Sequence, residues 1–552
     1  MMSMKGKSRL LRVLALAALL PAVQLTACDD DENPPAPRDA GRDSVIEAGP
    51  ADAGDAAPDV VAPMDVADGG SEVGDVVAEV GPVDAFPLPD AATGEQVFVA
   101  TLSGAEEPTV VTTTATGAAT FVLNAAKTEL RYQLRHNVVN ATMGHLHTGY
   151  AGENGPIAVP FTPLGPEISG TLSLTPTQAA DLELGRLYAN IHSTMYAGGE
   201  IRGQVLRPGE KVFVATLGGS QETPPVTTGA VGTASVILDT ARTGIRYHVT
   251  TSGLVPTAAH IHKAMVRVAG DVVYPLAPLG ASIDGTQALA GNDASDLETG
   301  LWYVNFHTAA NPNGEIRGQL LSPGAKMYAA TLSGAQETPA VTTAGTGNGM
   351  AIVNYARTQV QYHLTTSLTP TQAHFHQAAA GVAGPIVIPI TPVGMVMSGT
   401  AALTPTLASN LERGLLYMNV HTTAFSGGEV RGQVIGFDET LYTAVLTGAE
   451  ETPPVTTTAT GGLGVMLNAA GTQVRYVGSF TNLTATMAHF HKGAVGVAGP
   501  VVYPLTFSGT TIEGTQVLTP TDLTDLEAGN WYANVHSAAN PGGEIRGQVL
   551  ER

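Results

Sequence analysis

Thr101-Leu102-Ser103-Gly104-Ala105-Glu106-Glu107-Pro108 recurs as Thr216-Leu-Gly-Gly-Ser-Gln-Glu-Thr-Pro-Pro225, as Thr331-Leu-Ser-Gly-Ala-Gln-Glu-Thr-Pro-Ala340 and as Val445-Leu-Thr-Gly-Ala-Glu-Glu-Thr-Pro-Pro454. Successive copies lie 114 or 115 residues apart. That spacing is far longer than a solenoid turn and is the size of a small self-contained domain. A His-x-His follows in each copy (His145/His147, His260/His262, His374/His376, His489/His491), then an Asn-x-His (Asn190/His192, Asn305/His307, Asn419/His421, Asn534/His536). Each unit closes on Gly-Glu-[Ile/Val]-Arg-Gly-Gln, which carries Glu200/Arg202, Glu315/Arg317, Glu429/Arg431 and Glu544/Arg546. Four domains are expected, over 96–207, 212–322, 327–436 and 441–552. The turn-like joints between them are short enough to keep neighbours close and only moderately mobile.

Within a unit the local pattern is β. Val97–Leu102, Ala119–Leu123, Leu130–Leu134, Leu187–His192 and Glu200–Val205 are short, β-branched or aromatic, and bounded by Gly, Pro, Asn and Thr. About seven such strands per unit point to an all-β chain of tandem β-sandwiches. One short helix interrupts, with Thr175 suited to the N-cap, Pro176 to the first helical position and Gly185 to the stop.

The opening Leu-x-Gly-x-x-Glu-x-Pro, the His-x-His, the Tyr-x-Asn-x-His and the closing Gly-Glu-Ile-Arg-Gly-Gln resemble the CHRD (chordin-type) domain, and the resemblance covers residues 97–552. It implies an extracellular location and a binding or matrix role. The order of His-x-His, Gly-rich loop, strand-borne His and late Gly-x-Arg is also similar to copper/zinc superoxide dismutases. The expected sandwich is therefore immunoglobulin-like or superoxide-dismutase-like. Repeat 1 departs from the pattern, reading one residue short around Glu107-Pro108 and carrying Gly144 before its His-x-His. Repeat 2 has Val266-Arg267-Val268-Ala269-Gly270-Asp271 where the others end in Gly-Pro. Sites are thus expected to be best kept in repeats 3 and 4.

Residues two apart on a strand share a face, so His145 and His147 point one way while Leu146, like Ile261, Phe375 and Phe490 in the other copies, points into the core. Tyr188, Asn190 and His192 align by the same rule, as do Glu200, Arg202 and Gln204. If these strands are neighbours, three imidazoles converge with Asn, Glu and Arg in each unit. Three His are the donor set of a zinc or copper site. The same residues could instead form a buried hydrogen-bond network, and Glu200 with Arg202 an exposed ion pair.

The N-terminus reads as a lipoprotein signal over 1–27: Lys5, Lys7, Arg9 and Arg12, an apolar run too short to span a bilayer, then Leu25-Thr26-Ala27-Cys28. Cys28 is the only cysteine, placed for lipidation, and its solitude excludes a disulfide framework. Residues 28–95 hold 18 Asp or Glu against Arg38 and Arg42. Such a stretch buries too little apolar area to order itself, and its irregularly spaced acids lack a calcium-loop pattern, so it reads as a disordered acidic linker.

A net charge of −22 argues against nucleic acid. Nucleotide-binding loops and nucleophile elbows are absent. The expectation is a non-enzymatic protein, lipid-anchored to the bacterial cell envelope, presenting four domains for multivalent binding of an extracellular protein or polymer, with one His-based copper or zinc site per domain. The alternatives are a copper-dependent superoxide-dismutase-like redox protein and a structural surface spacer. Which membrane and which face stay open.

Overall fold

The alternating strands of each repeat build one sheet in a computed structural model that describes residues 92–162 and 164–552. The signal, Cys28 and the acidic stretch up to residue 91 lie outside the described residues. In repeat 1 the elements are β1 (Gln96–Ser103), β2 (Thr116–Leu123), β3 (Glu129–His136), β4 (Ala141–Thr148), β5 (Ile157–Pro160), β6 (Glu167–Ser173), α1 (Pro176–Leu184), β7 (Leu187–Ser193) and β8 (Ile201–Gln204). The strand order is β5-β4-β7-β8-β1-β2-β3-β6, and the other three repeats follow the same path. All the pairings within repeat 1 are antiparallel.

An antiparallel sheet with one apolar face must cover that face. Here the sheet folds on itself: Leu146 on β4, Leu134 on β3, Phe121 on β2 and Ile191 on β7 share one core, and Tyr132 meets Phe161 at 5.1 Å between ring centroids. The result is the expected all-β sandwich, barrel-like and repeated four times. Its eight strands exceed the expected seven because short β5 and Gly-containing β6 carry weak alternation. The helix forms as its ends dictate. Thr175 Oγ1 accepts from Gln178 N, the Gln178 side-chain oxygen accepts in return from Thr175 N, and Gly185 takes the left-handed conformation at φ 73°.

Repeat 1 is not short at its first loop. Val111 N donates to Gly104 O just as Val226 does to Gly219, Val341 to Gly334 and Val455 to Gly448. Pro108 simply stands where the other copies carry Thr.

The repeats are more tightly joined than flexible beads would be. Ala151 of repeat 1 is buried with Val212 and Ile237 of repeat 2. Met265 and Val266 of repeat 2 are buried with Met327, Met350 and Ile352 of repeat 3. Tyr355 of repeat 3 reaches back to repeat 1, donating to Val111 O at 2.7 Å. Two of the three single histidines serve such joints: His248 stacks on Tyr150 at 4.0 Å, and His363 Nε2 donates to Thr299 O.

Candidate metal centre

β4, β7 and β8 are neighbours, so the condition for convergence is met. Across them His145 faces Asn190 and Asn190 faces Arg202, while His147 faces Tyr188 and Tyr188 faces Gln204. Leu146 and its counterparts Ile261, Phe375 and Phe490 are fully buried on the opposite face. In each repeat the three His offer ligand nitrogens that all lie within 4.8 Å of one another: His145/His147/His192, His260/His262/His307, His374/His376/His421 and His489/His491/His536. The departures in repeats 1 and 2 therefore leave the cluster intact.

Backbone carbonyls fix the tautomers. His147 Nδ1 lies 3.0 Å from Gly155 O and His192 Nδ1 lies 3.0 Å from Ala197 O. A carbonyl can only accept, so both Nδ1 atoms carry the hydrogen and both Nε2 atoms are left as acceptors, that of His147 without a partner. The pattern repeats at His262, His376 and His491 with Gly270, Gly384 and Gly499, and at His307, His421 and His536 with Pro312, Ser426 and Pro541. Such bonds orient imidazoles that bind metals.

The first His of each pair presents Nδ1 to the third His: 3.2 Å for His145 to His192, then 3.1, 3.3 and 3.1 Å in the following repeats. Two nitrogens on a tetrahedral ion with bonds of ~2.0–2.1 Å stand about 3.3–3.4 Å apart, so the spacing suits one shared ion. Burial, then the neighbouring imidazole, holds His145, His260, His374 and His489 below the ordinary histidine range. Burial does the same to His147, His262, His376 and His491, only partly countered by the glycine carbonyl. Neutral imidazole is the form that binds a metal.

Behind the cluster a stack recurs. Tyr188 lies parallel to His147 at 4.8 Å, and the Arg202 guanidinium sits 3.3 Å above the tyrosine ring. Tyr303/Arg317, Tyr417/Arg431 and Tyr532/Arg546 repeat this. Arg202 is fully buried and donates to Glu153 O and Tyr150 O, both at 2.7 Å.

The Glu200–Arg202 pair weighed as an alternative does not form; Glu200 accepts from Thr113 Oγ1 at 2.8 Å. Glu315, Glu429 and Glu544 take the corresponding Thr228, Thr343 and Thr457. These carboxylates pin the loop between β1 and β2 rather than joining the histidines. The acid that stands near the guanidinium in all four repeats is the one at Glu107, which accepts from Asn190 Nδ2 at 3.1 Å. Asn305, Asn419 and Asn534 donate likewise to Glu222, Glu337 and Glu451. Burial pushes these four carboxyls up to about 7 against the pull of the neighbouring arginine. Sequence reasoning passed over this glutamate as a site residue, although its fourfold return in the opening motif was a signal.

Two glycines make the arrangement possible. A Cβ at Gly199, whose φ is 132°, would stand 2.5 Å from Glu107 Oε1 and 2.7 Å from Asn190 Nδ2. A Cβ at Gly155 would stand 1.6 Å from Thr148 O, so only glycine lets the loop after β4 fold back to offer its carbonyl to His147.

No curated protein matches the chain. The CHRD domain matches at residues 98–205, 213–320, 328–434 and 442–549, one match for each of the four sheets and together most of the chain's length, and the chain accordingly belongs to the CHRD family.

Proposed function

We propose that the chain is a non-enzymatic binding array in which each CHRD domain holds one copper or zinc ion on its three histidines. The observation that carries this reading is the second imidazole of each His-x-His. Nε2 of His147, His262, His376 and His491 is buried and has no hydrogen-bond partner, while its Nδ1–H is committed to a carbonyl. A lone pair without a protein partner in four copies, within 4.8 Å of two more ring nitrogens, is what a ligand requires. Three uncharged nitrogens suit copper or zinc better than calcium or magnesium, which favour oxygen. The same reading places the array in the cell envelope, lipid-anchored through Cys28 and held off the membrane by the acidic linker. These rest on the sequence pattern alone.

The test is elemental analysis of the chain after exposure to copper or zinc and removal of loose metal. Four ions per chain are expected, one for each cluster, with a loss of one in the His489→Ala/His491→Ala variant. No retained metal would refute the reading and leave a polar network in a binding or spacer domain.

A further inference from the structure

We infer that metal occupancy in repeats 1, 2 and 3 is coupled to the docking of each repeat on the next, and that the site in repeat 4 is uncoupled; this rests on the metal-binding reading above. One loop serves both ends of the coupling. The loop after β4 is held to the histidine cluster by three groups. His147 Nδ1 donates to Gly155 O at 3.0 Å, Tyr188 Oη accepts from Gly155 N at 3.1 Å, and Arg202 donates to the carbonyls of Tyr150 and Glu153. The same three anchors act on Gly270, Met265 and Val268 in repeat 2, and on Gly384, Ala379 and Val382 in repeat 3.

The outer side of this loop is the docking surface. Tyr150 stacks on His248 and donates to Asp284 at 2.8 Å. The Glu153 carboxylate accepts from Thr233 and Thr250 at 2.9 and 2.7 Å. In repeat 2 the loop inserts Met265 and Val266 between Met327, Met350 and Ile352, and Arg267 donates to Phe437 O and Glu439 O. Repeat 3 closes its loop onto Gly462, where a Cβ would meet Ala380 O at 2.4 Å. Repeat 4 keeps the anchors, with His491 and Tyr532 on Gly499 and Arg546 on Val497 and Ala494. Among the described residues no following repeat covers its loop, where Val495 is 64% exposed and Val497 53%.

An ion on His147 Nε2 fixes that ring, and through Nδ1 and the stacked Tyr188 it fixes the loop's inner side. A loop already ordered docks at a smaller entropic cost, so metal binding and docking favour each other, and by linkage the effect is reciprocal.

Hydrogen exchange of the full chain, with and without saturating zinc, tests this using His192→Ala and His536→Ala. Each removes one ligand, from site 1 or site 4, without touching the loop's anchors. In the parent, zinc is expected to slow exchange at Thr233–Ile237 and Arg246–Thr250, the surface of repeat 2 that receives Tyr150 and Glu153, by about fivefold or more. His192→Ala should abolish that slowing, and His536→Ala should leave it intact. In the reverse direction, His248→Ala with Asp284→Asn should weaken zinc binding at one site by a similar factor while the other three keep theirs. Equal behaviour of the two histidine variants at this junction, with metal content down by one in each, would overturn the coupling and spare the metal site. Absence of bound zinc would overturn both.

Discussion

Replacing Glu451 by Gln should remove most of a pH dependence that the buried carboxyl imposes on repeat 4. Glu451 is 8% exposed and accepts from Asn534 at 2.7 Å. Burial lifts it from an ordinary 4.5 to about 7, with Arg546 and then Asn534 pulling the other way. The native state thus keeps a proton that the unfolded chain releases. Its contribution is fully present below about 4.5 and is lost as pH rises through about 7. A displacement of that size is worth ~3 kcal/mol.

His489 and His491 act in the opposite sense. Their values are held down, so their contribution is present above the ordinary 6.5 and lost as pH falls. The informative quantity is therefore the difference between variant and parent. The chain offers a local probe, since Trp531 in repeat 4 and Trp302 in repeat 2 are its only tryptophans and both are fully buried. In a Trp302→Phe background with metal chelated, guanidinium unfolding followed at Trp531 should show Glu451→Gln gaining about 2.5 kcal/mol on its parent between pH 5 and pH 8, part of the displacement being already lost at pH 5. An equal difference at both pH values would refute the reasoning. A variant that loses ground at pH 8 would show that attraction to Arg546 outweighs burial.

Gly499→Ala should cost repeat 4 the metal proposed for it, because the added Cβ would lie 1.7 Å from Lys492 O and must displace the carbonyl that orients His491; elemental analysis should fall by one ion. Phe375→Ala, at a fully buried core position, should destabilise repeat 3 by ~3–5 kcal/mol, read as faster amide exchange there than in repeat 1. The junction between repeats 1 and 2 should loosen in alkali: burial pulls His248 down, but Glu153 and Asp284 more than offset it and the net displacement is upward. Its contribution is then present below the ordinary 6.5 and lost as pH rises through the raised value, so exchange at residues 150–153 should quicken above that range in the parent and not in His248→Gln. Copper-loaded chain should dismutate superoxide no faster than a free-copper control, since Arg202 is fully buried and tied to carbonyls and so cannot steer an anion to the site.

The parts of this molecule that local rules govern were legible in the sequence. Alternation separates His145 and His147 from Leu146, and Thr175, Pro176 and Gly185 bound the helix as their conformational preferences require. Long-range pairings were not legible. Glu107 reaches Asn190 from a turn 83 residues away, and no periodicity links the two. Glu200 and Arg202 share a strand face, which suggested a pair, yet each finds a partner on a different loop. The junctions were hidden for another reason. The docking residues are Tyr150 and Glu153 in one repeat, Met265 and Val266 in the next, Ala380 and Val382 in the third, so a common role is spread over unlike side chains. Arg267, which looked like decay of the loop, is a donor to the carbonyls of Phe437 and Glu439.

These junctions change what four copies can do. Flexible beads raise affinity by keeping unbound sites near a ligand, with a local concentration set by linker length. Here each joint is short and its sides are buried against each other, so the spacing between sites is set by packing. A partner whose own spacing matches then engages several domains without the ordering cost that flexible linkers impose, whereas a mismatched one gains nothing from the extra copies. On the proposed binding role, selectivity lies in the interval between domains as much as in any one site. Disrupting the repeat 2–3 cluster, for example by Met350→Asp, should therefore weaken a partner that spans several domains more than a partner that occupies repeat 4 alone, a separation that a string of independent beads would not show.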